Sequence, residues 1–284
     1  MFPERQQGPH KDWKQEVEYL DNIFKNGAAY TIGKVNGDHW LLYITGDDLL
    51  SESIHSVHSP SEDRHPDFTI EILMSDLSAD AREPFMFAET SHDSPSDLGR
   101  EVSDKIGISN IFPPSLTTLD AYAFQPCGYS SNALVKWGHE HLEHEAKYPD
   151  VPPKIGHSGE GYYTIHVTPE QGWSYASFEC NVPLSTSKVE DAAKIPDLQS
   201  LIQRVVGIFK PGRITLTLFI SSEDNDTTGE TPVELAQRTF KTTLTGSTLD
   251  FGEHDGRPLV YRRTDKINYE FGGYDLAFAS FELR

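Results

Sequence analysis

Asp67, Thr69 and Glu71 stand two residues apart, with Phe68 and Ile70 between them and Ile72 and Met74 following. In an extended strand, side chains two apart share a face. The spacing therefore predicts three oxygen-bearing groups aligned on one side and an apolar stripe on the other. Carboxylates crowded in a partly buried place repel one another and resist ionisation until a cation neutralises them. That cation can be a ligand or an internal Lys or Arg, and the spacing leaves both open. Two other runs invite a metal reading and fail it. In Gly138-His139-Glu140-His141-Leu142-Glu143-His144, Glu143 stands where a His-Glu-x-x-His helix needs its second histidine. His141 and His144 could share a ligand on a helix, but the run lies in a polar stretch and reads as surface histidines. Asp224-Asn225-Asp226-Thr227-Thr228-Gly229 opens like a calcium loop, yet its closing position would be Leu235, so it reads as a turn between strands. No metal site is expected.

Periodicity outlines the elements that hold such groups. Trp13, Val17, Leu20 and Phe24 fall on one helical face behind a capping Asp12, which predicts a helix over 12–24. The runs 29–32 and 39–43 flank Asn36-Gly37, a hairpin signal. A strand is expected over 68–74, and others near 116–125, 161–168, 173–181, 213–221, 258–271 and 274–283. A helix over 197–209 buries Leu198, Leu201, Ile202, Val205 and Phe209 and stops at Lys210-Pro211-Gly212. Residues 46–66 and 88–104 read as polar loops. Antiparallel strands with a few amphipathic helices indicate the α+β class. No Gly-rich dinucleotide fingerprint, phosphate-binding loop or fixed-period repeat is present.

The charge balance selects among partners. With 24 basic against 44 acidic residues the chain carries a net charge of −20. A field of that sign repels nucleic acid and anionic membranes and favours cations such as amines or sulfonium compounds. Neither a transmembrane run nor the apolar core of a signal peptide occurs. Two cysteines, Cys127 and Cys180, are too few for a disulfide framework and fit a reducing, cytoplasmic setting.

Several blocks are more specific than composition. In order they are Pro9-His10 with Glu16-Val17 and Leu20-Asp21; Asn26-Gly27-Ala28-Ala29-Tyr30; Asn36-Gly37-Asp38-His39-Trp40; Asp67-Phe68-Thr69-Ile70-Glu71-Ile72-Leu73-Met74; Phe124-Gln125-Pro126-Cys127-Gly128-Tyr129-Ser130; Tyr163-Thr164-Ile165-His166-Val167-Thr168-Pro169-Glu170; Ser174-Tyr175-Ala176-Ser177-Phe178-Glu179; and Val205-Val206-Gly207-Ile208-Phe209-Lys210-Pro211-Gly212. Together they resemble the C-terminal two-thirds of the eukaryotic S-adenosylmethionine decarboxylase family, apart from polar insertions near 46–66, 88–98, 136–160 and 223–260.

The resemblance implies one domain over 1–284 with an α/β/β/α sandwich fold of antiparallel sheets, incomplete at its N-terminal side. It implies a pyruvoyl-dependent decarboxylase of spermidine and spermine synthesis, activated by putrescine. Ser130 and His166 match the pair that assists processing and proton transfer. Phe124 matches an aromatic stacked on adenine, and Glu170 a carboxylate that holds the ribose hydroxyls. Cys127 lies in the same loop. Asp67, Thr69, Glu71, Glu179, Phe219 and Tyr274 match the putrescine pocket.

The family's Glu-Ser-Ser cleavage site, which yields the pyruvoyl serine, is not matched among these 284 residues. Ser51-Glu52-Ser53 lacks its surroundings. Three readings stay open: a decarboxylase once the missing segment is supplied; a partner or catalytically dead regulatory subunit that pairs with an N-terminal fragment, a paralogue or its own copy; and an adenosyl- or diamine-binding module.

Overall fold

The computed structural model describes residues 6–37, 39–45, 68–87, 94–137, 159–185, 194–226, 228–246, 252–271 and 273–284. The chain divides into two compact units, Met1–Ser61 and Glu62–Arg284. Within the first, α1 (Trp13–Asp21) begins where Asp12 accepts the Gln15 N–H. Strands β1 (Ala28–Gly33) and β2 (His39–Ile44) form the expected antiparallel hairpin. Its turn closes with the Gly37 N–H donating to the Lys34 carbonyl at 2.9 Å. The Tyr43 hydroxyl donates to Asp21 at 2.7 Å and ties the hairpin to the helix. Tyr43 lies so close to Gly27 that any Cβ there would fall within the phenol.

The second unit holds one eight-stranded sheet in the order β11-β12-β8-β3-β7-β6-β5-β4, antiparallel throughout. Its strands are β3 (Phe68–Leu77), β4 (Thr117–Ala123), β5 (Tyr129–Trp137), β6 (Gly159–Thr168), β7 (Tyr175–Cys180), β8 (Pro211–Ser221), β11 (Tyr261–Phe271) and β12 (Tyr274–Leu283); a small hairpin, β9 (Glu253–His254) with β10 (Arg257–Pro258), stands apart. Two short helices, α2 (Ala79–Arg82) and α5 (Ser222–Asn225), follow β3 and β8. Three longer ones, α3 (Pro95–Ile106), α4 (Leu198–Phe209) and α6 (Pro232–Thr245), share a core with the sheet. The class is α+β, as the patterning implied.

Alternation fixes which face is dry. Phe68, Ile70, Ile72 and Met74 of β3 join Ile165, Phe178, Leu216 and Ala279 of its neighbours in one core with Val102, Val205, Phe209, Phe240 and Leu244 of the helices. The opposite face presents the intervening residues, most of them polar. Register lines them up across strands. One row runs Tyr122, Ser130, His166, Ser177, Leu73, Thr215; the next runs Asp120, Asn132, Thr164, Glu179, Glu71, Thr217.

Several expectations are corrected here. The stretch 88–104 is not all loop, because α3 starts at Pro95 behind a Ser94 that accepts the Asp97 N–H. Its apolar residues Leu98, Val102 and Ile106 are diluted by eight polar or glycine neighbours, which hid the helical period. Inside the polar stretch 223–260, α6 is nucleated by a capping box between Thr231 and Glu234. Asp224–Gly229 consequently leads from β8 into a helix rather than between two strands. β5 was also not among the expected strands. The histidine run 138–144 and Ser51-Glu52-Ser53 lie outside the described residues, as does Asp67.

Candidate active site

Ser130 is on β5 and His166 on β6, directly opposite each other in register. The Ser130 Oγ and His166 Nδ1 are 2.9 Å apart, a hydrogen bond on the polar face with His166 exposed. Two strands fix this pair because an antiparallel ladder gives each position a single cross-strand partner.

The loop before Ser130 is clamped from below. The Phe124 N–H donates to the Gly128 carbonyl at 2.9 Å, the Gly128 N–H to Phe85 at 3.1 Å and the Phe87 N–H to Pro126 at 2.7 Å. Gly128 has φ 110°, which a residue with a Cβ adopts only under strain. The Tyr129 ring points into the core, 5.4 Å from Phe85. Its hydroxyl and the Ser103 Oγ are 2.6 Å apart, and Ser103 donates onward to the Gly99 carbonyl at 2.6 Å. Tyr129 is therefore the donor to Ser103, so α3 holds the residue next to Ser130. Phe124 itself is 54 % exposed, its ring free to meet a flat ligand.

Glu170 follows β6 in a turn closed by the Trp173 N–H donating to the Glu170 carbonyl at 3.1 Å. Arg82 of α2 steadies that turn through Pro169 O at 3.3 Å. Cys127 reaches this carboxylate. Burial pushes the thiol above its ordinary pKa, and a hydrogen bond to Glu170 with the carboxylate's charge pushes it further. Phe124, Cys127, Ser130, His166 and Glu170 thus gather at one end of strands β4 to β6.

The acidic residues form a second group on the same face. Glu71 and Glu179 are direct cross-strand partners on β3 and β7, an arrangement that is unfavourable for like charges. Burial first, and the Glu179 charge after it, raise the Glu71 pKa, while a hydrogen bond from Thr217 at 3.1 Å opposes them. Glu179 accepts the Tyr162 hydroxyl at 2.6 Å, and this bond, with burial, pushes the Tyr162 pKa up to about 12. Thr69 pairs with Phe219, and Tyr274 sits two residues before Leu276, the other partner of Phe219. Tyr162, Thr217 and Ser103 were not singled out in the sequence. For Tyr162 and Thr217 the signal is strand parity alone, which places them on the polar face only once the register is known. Ser103 lies in a helix that the sequence did not reveal.

This fold and site define the class. A family model described as Adenosylmethionine decarboxylase matches residues 1–282, and the chain belongs to that family. It is 32% identical over 281 residues to the S-adenosylmethionine decarboxylase proenzyme of Xenopus laevis, covering 99% of this chain and 62% of that one. The corresponding proenzyme of Drosophila melanogaster is 32% identical over 283 residues (98% and 64%), and that of Saccharomyces cerevisiae 30% over 241 residues (79% and 53%). The chain thus spans between 53% and 64% of the length of these relatives. The crystal structure of a Trypanosoma brucei AdoMetDC-delta26 monomer superposes with a TM-score of 0.54 at 18% identity, covering 100% of this chain and 83% of that one, which establishes the fold.

Proposed function

We propose that this chain serves in the decarboxylation of S-adenosylmethionine, the activity its relatives' names describe, and that the product feeds spermidine and spermine synthesis. The observation that supports this most directly is the Ser130–His166 hydrogen bond of 2.9 Å beside the clamped loop. In this reading the Phe124 ring lies on the adenine and its face favours the sulfonium charge. The Glu170 carboxylate accepts the ribose hydroxyls. His166 holds or moves a proton at the Ser130 hydroxyl.

A hydroxyl and an imidazole in contact on an open sheet face fit the family's pyruvoyl group as a neighbour. Such a group supplies the electron sink that a departing carboxylate requires. Glu71, Glu179, Thr69, Phe219 and Tyr274, with Asp67 next to them in the sequence match, seat putrescine, whose two ammonium groups relieve the repulsion between the acids.

The test is release of labelled carbon dioxide from carboxyl-labelled S-adenosylmethionine by the protein purified from its source, alongside His166→Ala. Release stimulated by putrescine and reduced about 100-fold or more in the variant is expected. Binding of the nucleoside without any carbon dioxide would overturn the reading in favour of a binding module.

A further inference from the structure

On strands β3, β8 and β12, several strands across the sheet from the Ser130–His166 pair, lies a cavity of about 510 Å³ lined by Asp76, Gly212, Arg213, His254, Arg257 and Arg284 among others. A second cavity of about 420 Å³ shares Asp76 and Arg213 with it and extends to Gly172, Trp173 and Tyr175. The two form one trough. Arg213, Arg257 and Arg284 are exposed, and among the described residues none of these three guanidinium groups has a carboxylate partner.

Of the three acids of the trough, one is neutralised from outside it. Glu282 is shared with Arg262 at 3.4 Å. Asp255 accepts the Ala79 N–H at 2.9 Å and faces His254 at 3.8 Å. Glu282 is thus offset by Arg262, while Asp76 and Asp255 set two carboxylates against the three guanidinium groups, which leaves the trough one positive charge in excess in a chain whose net charge is −20.

The walls are fixed before any ligand arrives. The β9–β10 hairpin that carries Arg257 is fastened by a hydrogen bond between His254 Nδ1 and the Lys210 carbonyl at 2.7 Å. Close by, the Tyr261 hydroxyl donates to Pro211 O at 2.8 Å. Arg213 is held in the ladder opposite Glu282 and Ser75. Gly212 lets the Asp76 carboxylate lie against the strand, since a Cβ there would stand 2.5 Å from its oxygen. Planar, bidentate guanidinium groups match phosphate oxygens. At the other end of the trough Trp173, 82 % exposed, offers a ring face.

We propose that this trough binds a small oligoanion with adjacent phosphate groups, either inorganic pyrophosphate or the diphosphate end of a nucleotide. The experiment is calorimetric titration of the full-length protein with pyrophosphate and with ADP, in saturating S-adenosylmethionine and at two salt concentrations. Saturable binding that weakens with salt is expected, with affinity falling about tenfold or more in Arg213→Ala/Arg257→Ala and unchanged in Glu170→Ala. ADP binding more tightly than pyrophosphate, with a fluorescence change lost in Trp173→Phe, would assign a nucleotide. Equal affinities would assign pyrophosphate. Absence of saturable binding by either, or undiminished binding in a double variant with an unchanged thermal melt, would overturn the proposal. The Glu170→Ala arm separates this site from the adenosyl site proposed above.

Discussion

The Cys127–Glu170 contact makes a prediction at the scale of one thiol. Burial, and after it the carboxylate at its side, keep Cys127 protonated above its ordinary range, and the thiolate is the reactive form. Glu170→Gln is therefore expected to speed alkylation of Cys127 at neutral pH by several-fold, read by mass spectrometry, while fully buried Cys180 stays unmodified. Glu71 makes another, with the sign set by its raised pKa. A carboxyl that holds its proton more tightly when folded costs stability once it ionises, so the unliganded protein loses stability as pH rises through and above the usual carboxylate range. Glu71→Gln is expected to melt at the same or a higher temperature without ligand and to lose most of the putrescine-induced rise. A wild-type melt unmoved by putrescine would remove the diamine from this pocket. The spacing of Thr69 and Glu71 put two oxygen-bearing side chains on one face in the sequence, and Asp67 lies outside the described residues. Tyr162 and Thr217 gave no such signal, because their roles depend on pairings with Glu179 and Glu71 that only the ladder sets.

Among the elements, α3 shows how a helix on the core side of the sheet can bear on the candidate site. Gly99 presses on β4, where a Cβ would meet the Ala121 carbonyl and the Tyr122 nitrogen at 2.6 Å. Gly99→Ala must push α3 off the strand that leads into Phe124. A loss of about 1–3 kcal/mol in denaturant unfolding is expected from overpacking, together with weaker nucleoside binding. Loss of stability alone would separate the helix from the site. Strands with clean alternation, such as β3 and β8, were legible from the sequence. The α3 helix was masked by its own polar surface and α6 by its place in a polar stretch. β5 went unread because Tyr129, Ser131, Ala133 and Val135 mix small, polar and apolar groups on the buried face.

The whole molecule carries −20, a field that favours the approach of cations over anions. Association of putrescine is expected to slow several-fold between low and physiological salt, measured by stopped-flow. A salt-independent rate would mean that recognition is local to Glu71 and Glu179. The order of strands in the sheet has its own consequence for how the protein is made. β3 lies between β7 and β8, so it leaves the ribosome roughly a hundred residues ahead of either neighbour, and at about 5–20 residues per second it waits several seconds for them. During that interval Phe68, Ile70, Ile72 and Met74 have no strand to lie against. Nascent chains with such an orphaned centre depend on chaperones. Raised chaperone levels during expression are the condition under which soluble yield should rise.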